Sequence, residues 1–183
     1  QSRHRYTYEE YLALERDSDT KHEFVAGEIY AMAGGSPRHS ALASRVGAAL
    51  ENARPHGCTA FQSDMRLRVL ATGRTAYPDA SMVCGAIETD PADASGTTIT
   101  NPSLIVEVLS RSTEDVDRTD KWRDYQRIAS LQEYVLVNQY PRIEIHRRLP
   151  SGLWEYRDVD DGVVTLTSGA TLDLAKLYAD LPV

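Results

Sequence analysis

Residues 103–109, SLIVEVL, form an almost continuous apolar run with a single carboxylate, Glu107, in it. A run of this length between Pro102 and Ser110 fits a strand covered on both faces rather than a half-exposed strand, which would alternate. Such a strand needs a layer on each side, as in a sheet with helices packed on it. Val106 and Val108 point to the face opposite Glu107. An ionised carboxylate in that setting is costly unless it is paired, hydrogen-bonded or bound to metal. Asp79, which follows Pro78 in the apolar segment YPDASMV, poses the same problem.

The remaining pattern surrounds these strands with mixed elements. Thr7 with Glu10 three residues on is a capping box, opening a short helix with Tyr8, Tyr11 and Leu12 on one face. Residues 23–32, EFVAGEIYAM, read as a hairpin around Gly27. Gly34-Gly35 breaks the chain before a helix with Ser36 as N-cap and Pro37 in its first turn. Leu42, Val46, Ala49, Leu50 and Ala53 keep helical spacing until Pro55-His56-Gly57. Strands are expected over 61–70, with Met65, Leu67 and Val69 on one face, and over 77–83 and 103–109. The intervening residues 85–102, rich in Asp, Ala, Thr and Gly, read as a loop that the fold would tolerate losing. Ser112 and Asp115 suggest a second capping box before a helix over 114–129, with Trp122, Tyr125, Ile128 and Ala129 at helical spacing. A buried strand follows at 133–138. Residues 142–148, 153–159 and 163–167 extend the sheet as hairpins, and 171–181 fits a short strand or a helix. The expected fold is therefore α/β in the mixed α+β sense: a central mixed sheet flanked by helices, with an added N-terminal helix and hairpin and C-terminal strands. One domain over 1–183 suits this length.

Composition narrows the function. Hydrophobic residues at 42% and charged residues at 26% describe an ordinary globular chain. The net charge of −7, from 20 Lys and Arg against 27 Asp and Glu, argues against a protein that coats nucleic acid through a basic surface. No apolar run approaches the roughly 20 residues of a membrane span. The opening residues carry no apolar signal-peptide core, and the first residue is Gln1 rather than Met, so the native N-terminus is expected upstream. Cys58 and Cys84 lie in no CxxC or Cys/His cluster, so they are expected as free thiols of a reducing compartment, by default the cytoplasm.

If the strands of Asp79 and Glu107 lie side by side, their carboxylates make a hard-oxygen site suited to Mg2+ or Mn2+. Lys121, four residues from both Asp117 and Tyr125, shares a helix face with them. Aimed at the acids, it would orient water or stabilise developing charge. Each residue also has a plainer reading. Glu107 could pair with Arg66 or Arg68, Asp79 could be a turn residue after proline, Lys121 could be solvated, and Tyr125 could simply pack. His39, at a helix start, suits either contact with substrate or the acidic site, or a capping role. Ser110 and Ser112 lack a nucleophile elbow, and Gly34-Gly35 lacks the GKS/T ending of a phosphate loop.

The segments YPDASMV, PSLIVEVLSRST and DRTDKWRDYQRIASLQEYVLVN resemble the Uma two family of restriction-endonuclease-like proteins, within the PD-(D/E)XK nuclease superfamily. KHEFVAGEIYAMAGGSPRHSALASRVGAAL is similar to its N-terminal part, so the likeness runs over about residues 6–138. The resemblance implies a metal-dependent phosphodiesterase with Asp79 and Glu107 as ligands and the backbone carbonyl of Val108 as a further one. The superfamily's usual lysine would fall at Leu109; in this family its role maps to Lys121 on the next helix. Glu23 would complete the site. The implied protein is an endonuclease for DNA using Mg2+ or Mn2+, and a homodimer, since one site cuts one strand. The acidic net charge motivates a different class, a nuclease-fold binding module without catalysis.

Overall fold

The computed structural model describes residues 4–182, so Gln1 lies outside it. Helix α1 (Tyr8–Asp17) begins with the expected capping box, Thr7 and Glu10 each bonding the other's backbone, and buries Tyr11. Strands β1 (His22–Val25) and β2 (Glu28–Ala31) form the hairpin. Its two turn residues, Ala26 and Gly27, both have positive φ, the backbone of the tight turn that matches strand twist. Helix α2 (Pro37–Ala53) starts where Ser36 accepts the His39 N–H, and it buries Leu42, Val46 and Leu50.

The strands that follow are β3 (Cys58–Gln62), β4 (Arg66–Arg68), β5 (Thr75–Ala76), β6 (Ala80–Cys84), β7 (Thr98–Ile99) and β8 (Leu104–Val108). A helical stretch comes next: α3 (Glu114–Val116), a π-helical turn (Asp117–Lys121) and α4 (Trp122–Tyr125). The chain ends with β9 (Glu133–Val137), β10 (Ile143–Arg148), β11 (Trp154–Val159), β12 (Val163–Thr165), β13 (Thr171–Asp173) and α5 (Leu174–Tyr178).

Six strands form the main sheet in the order β11-β10-β9-β8-β6-β3. It is mixed, because β8 runs parallel to β9 and antiparallel to β6. All five residues of β8 are buried. Leu104, Val106 and Val108 pack with Leu42, Val46 and Leu50 of α2 and with Leu172, Leu174 and Leu177 of the C-terminal elements. Ile105 packs on the other face with Tyr125, Ile128, Leu131 and Tyr134, and with Leu67 and Ile99 of the second sheet. That second sheet has the order β2-β1-β5-β4-β7. Each such side chain, buried between layers, contributes about 1.5–3 kcal/mol.

Five expectations are corrected. The strand expected over 61–70 is two strands in different sheets, because Ser63 and Asp64 make a turn closed by Met65 N–H to the Gln62 carbonyl. The segment 85–102 is not dispensable: β7 pairs with β4, and buried Asp93 and Asp90 lie 2.9 Å from Arg66 and 3.4 Å from Arg68. No capping box forms at Ser112; Thr113 is the N-cap without a side-chain bond, and Ser112 and Thr113 instead contact the Ser110 hydroxyl. The helix expected to reach Ala129 stops at Tyr125 and contains the π turn. Lastly, Cys58 and Cys84 are not free thiols. They stand directly opposite each other across β3 and β6 and form a disulfide. Register, which sequence spacing does not reveal, brings them together, and the thiol argument for a reducing compartment falls with it. The tail, open between strand and helix, contains both, β13 followed by α5.

Candidate active site

The β6–β8 register pairs Ala80 with Val106. Asp79, one residue before β6, therefore arrives beside the end of β8 that carries Glu107 and Val108. The Asp79 Oδ2 atom accepts the Val108 N–H at 2.7 Å. His39, from the first turn of α2, places Nε2 3.3 Å from the same oxygen. That contact with Asp79 raises the His39 pKa, opposed by burial and helped by the Val108 backbone.

Glu107 is buried, and its Oε1 atom accepts two hydrogen bonds, from Lys121 Nζ at 3.1 Å and from the Tyr125 hydroxyl at 3.0 Å. Lys121 is buried as well, with Nζ 3.1 Å from Glu23 and 3.0 Å from Asp117. The approach to Asp117 Oδ1 is short but poorly aligned, and that buried oxygen has no hydrogen-bond partner. The π turn presents Asp117 and Lys121 to the sheet, a distortion of the kind found at functional positions. The Tyr134 hydroxyl on β9 anchors this turn through the Asp117 carbonyl, and a buried Arg74–Asp124 pair at 2.6 Å holds α4.

One ammonium thus faces three carboxylates, with Asp79 adjacent. Burial pushes the Glu107 carboxyl up to about 8; Lys121 opposes this, while the charges of Asp117, Asp79 and Glu23 add to it. Burial works against the Lys121 charge, but Glu107, Glu23 and Asp117 outweigh it and hold the ammonium well above its usual range. Acid in excess of base in a partly buried site favours an added cation. Among the described residues no three His, Cys, Asp or Glu side chains converge at metal-ligand spacing. The oxygens available are the two acids, the backbone and Asp117, whose Oδ1 meets Lys121 as an ion pair without a hydrogen bond, a hard donor set that suits Mg2+ or Mn2+.

The six expected residues thus fall into two linked groups. Asp79, His39 and Val108 touch one another, Glu107 and Glu23 meet at Lys121, and β6–β8 pairing joins the groups. Glu23 reaches Lys121, not the Asp79 side. The competing arginines are engaged elsewhere, Arg66 with Asp93 and Arg68 with Asp90. The sequence places Asp117 and Tyr125 only as helix-face neighbours of Lys121; the structure brings Asp117 against the lysine and the Tyr125 hydroxyl onto Glu107.

Comparison with known proteins follows the same lines. Residues 8–180 match the Uma2 family, described as "Putative restriction endonuclease". Two proteins of Synechocystis sp. are similar. Uncharacterized protein slr1290 is 39% identical over 149 residues, 80% of this chain and 76% of that protein. Uncharacterized protein sll1609 is 36% identical over 150 residues, 81% of this chain and 84% of that protein. A crystal structure from Anabaena variabilis, described as "a putative nuclease belonging to DUF820", shares the fold with a TM-score of 0.71. It is 19% identical and covers 93% of this chain and 96% of its own. The family match runs from α1 through α5 and takes in every residue of the site, so this chain belongs to the Uma2 family of restriction-endonuclease-like proteins.

Proposed function

We propose that this protein is a metal-dependent endonuclease that hydrolyses phosphodiester bonds in DNA, acting as a homodimer. Asp79, Glu107 and the Val108 carbonyl would hold Mg2+ or Mn2+. The observation that carries this reading is the buried excess of acid around Lys121 and Glu107. A bound divalent ion would supply the charge that polarises a phosphoryl oxygen and acidifies water. The protein's own part is positioning. Lys121 keeps its proton and stays a fixed positive charge, suited to orienting water and to stabilising charge on the phosphate in the transition state. Glu23 and Asp117 fix the lysine, and the apolar floor of β8 and β9 keeps bulk water from these charges.

The net charge of −7 favours a second reading, a nuclease fold that binds without cutting. A nicking assay on supercoiled DNA with Mg2+ or Mn2+ separates them. Wild type is expected to cut. Glu107→Gln and Asp79→Asn should each lose at least about 100-fold, the scale of removing one preorganised charge-stabilising group. Inert wild type on duplex, single-stranded and RNA substrates would leave the binding reading. The same preparation, sized by light scattering, is expected at twice 20.4 kDa.

A further inference from the structure

The two acids are held alike, each by one oxygen. Asp79 Oδ2 takes the Val108 N–H at 2.7 Å and lies 3.3 Å from His39 Nε2. Glu107 Oε1 takes both Lys121 and the Tyr125 hydroxyl, at 3.1 and 3.0 Å. Among the described residues, no donor engages Asp79 Oδ1 or Glu107 Oε2. The holders are themselves built in. Tyr125 is fully buried, with its ring edge against Tyr134. His39 has its own N–H capped by Ser36, and Gly35 leaves room for its ring: a Cβ at that position would lie 2.7 Å from His39 Nδ1. The glycine pair, which matches no phosphate loop, thereby finds a use: Gly35 admits the imidazole.

We infer that Tyr125 and His39 are positioning residues that each occupy one oxygen of the acid pair, leaving Asp79 Oδ1 and Glu107 Oε2 as the atoms that bind a divalent cation. This rests on the metal-site reading above. Hydrogen bonds behind ligating groups orient them, and their loss typically lowers metal affinity about 10- to 100-fold. Tyr125→Phe removes one hydroxyl and leaves the ring packing. His39→Gln keeps an amide nitrogen near the Nε2 position, whereas His39→Asn places its amide nearer Nδ1.

The test is Mn2+ binding to the full chain without DNA, by calorimetry and by electron paramagnetic resonance, with near-UV circular dichroism as the check of fold. Tyr125→Phe and His39→Asn are expected to weaken Mn2+ binding about 10- to 100-fold with the fold intact, and His39→Gln to recover most of the loss. Wild-type affinity in folded Tyr125→Phe and His39→Asn would overturn the inference while leaving the metal site standing. A nitrogen coupling to Mn2+ that disappears in His39→Gln would make His39 a ligand and also overturn it. If wild type binds no Mn2+, the metal-site reading fails and the inference with it.

Discussion

Burial raises the Glu107 carboxyl to about 8 in the folded, metal-free chain. Its unfolded value is about 4.3, so the folded chain binds more protons than the unfolded one between the two values. The corresponding stability is complete below about 4 and is lost as pH rises through about 8. Urea denaturation of the metal-free protein is therefore expected to give a lower midpoint at pH 8 than at pH 5, with the difference largely gone in Glu107→Gln. An equal slope in the variant would place the effect elsewhere. Much of this was legible at single residues: a carboxylate inside SLIVEVL had to meet a partner, and Lys121 is that partner. The second partner was not legible, since a tyrosine at helical spacing reads as packing, and Tyr125 packs and donates at once.

Elements show a different gap between sequence and structure. Capping and turn chemistry marked α1, α2 and the β1–β2 hairpin because those signals act over three or four residues. The role of residues 85–102 was hidden because it depends on β4, distant in sequence. Asp93 accepts from Arg66, Ser95 and Thr98 inside this segment. Burial opposes the Asp93 charge, but bonds from Ser95, Thr98 and Arg66 outweigh it and hold the carboxyl below the usual range. Asp93→Ala, which strands a buried guanidinium, is expected to cost about 3–5 kcal/mol by chemical denaturation. The carboxylate's contribution is present above its unfolded value of about 3.9 and is lost as pH falls below it. Wild type should accordingly lose more stability than the variant between about pH 4 and pH 2, and parallel acid titrations would refute this assignment. The π turn was equally hidden, because the apolar spacing of Trp122, Tyr125 and Ile128 is compatible with an ordinary helix.

For the whole molecule, the mixed sheet and the helices packed on it followed from where buried strands and helices fall along the chain, whereas the second sheet did not. The family match and the shared nuclease fold agree with that order. The disulfide did not follow, because two cysteines 26 residues apart carry no pairing signal by themselves. In the chain-entropy account a closure of that length stabilises the fold by roughly 3.5 kcal/mol. Reduction is thus expected to lower the thermal midpoint, and Cys58→Ser should show the lower midpoint with or without reductant. A wild-type midpoint indifferent to reductant would mean the bridge does not form in solution.

The bridge also divides the site topologically. Residues 58–84 become a covalent ring that contains Asp79, while Glu23, His39, Glu107 and Lys121 lie on the open arms to either side. Even in a denatured chain, Asp79 stays tethered within a short circumference. The oxidised polypeptide therefore searches for its acid pair from one confined partner and one free one, and a cut inside the ring would leave its two ends joined.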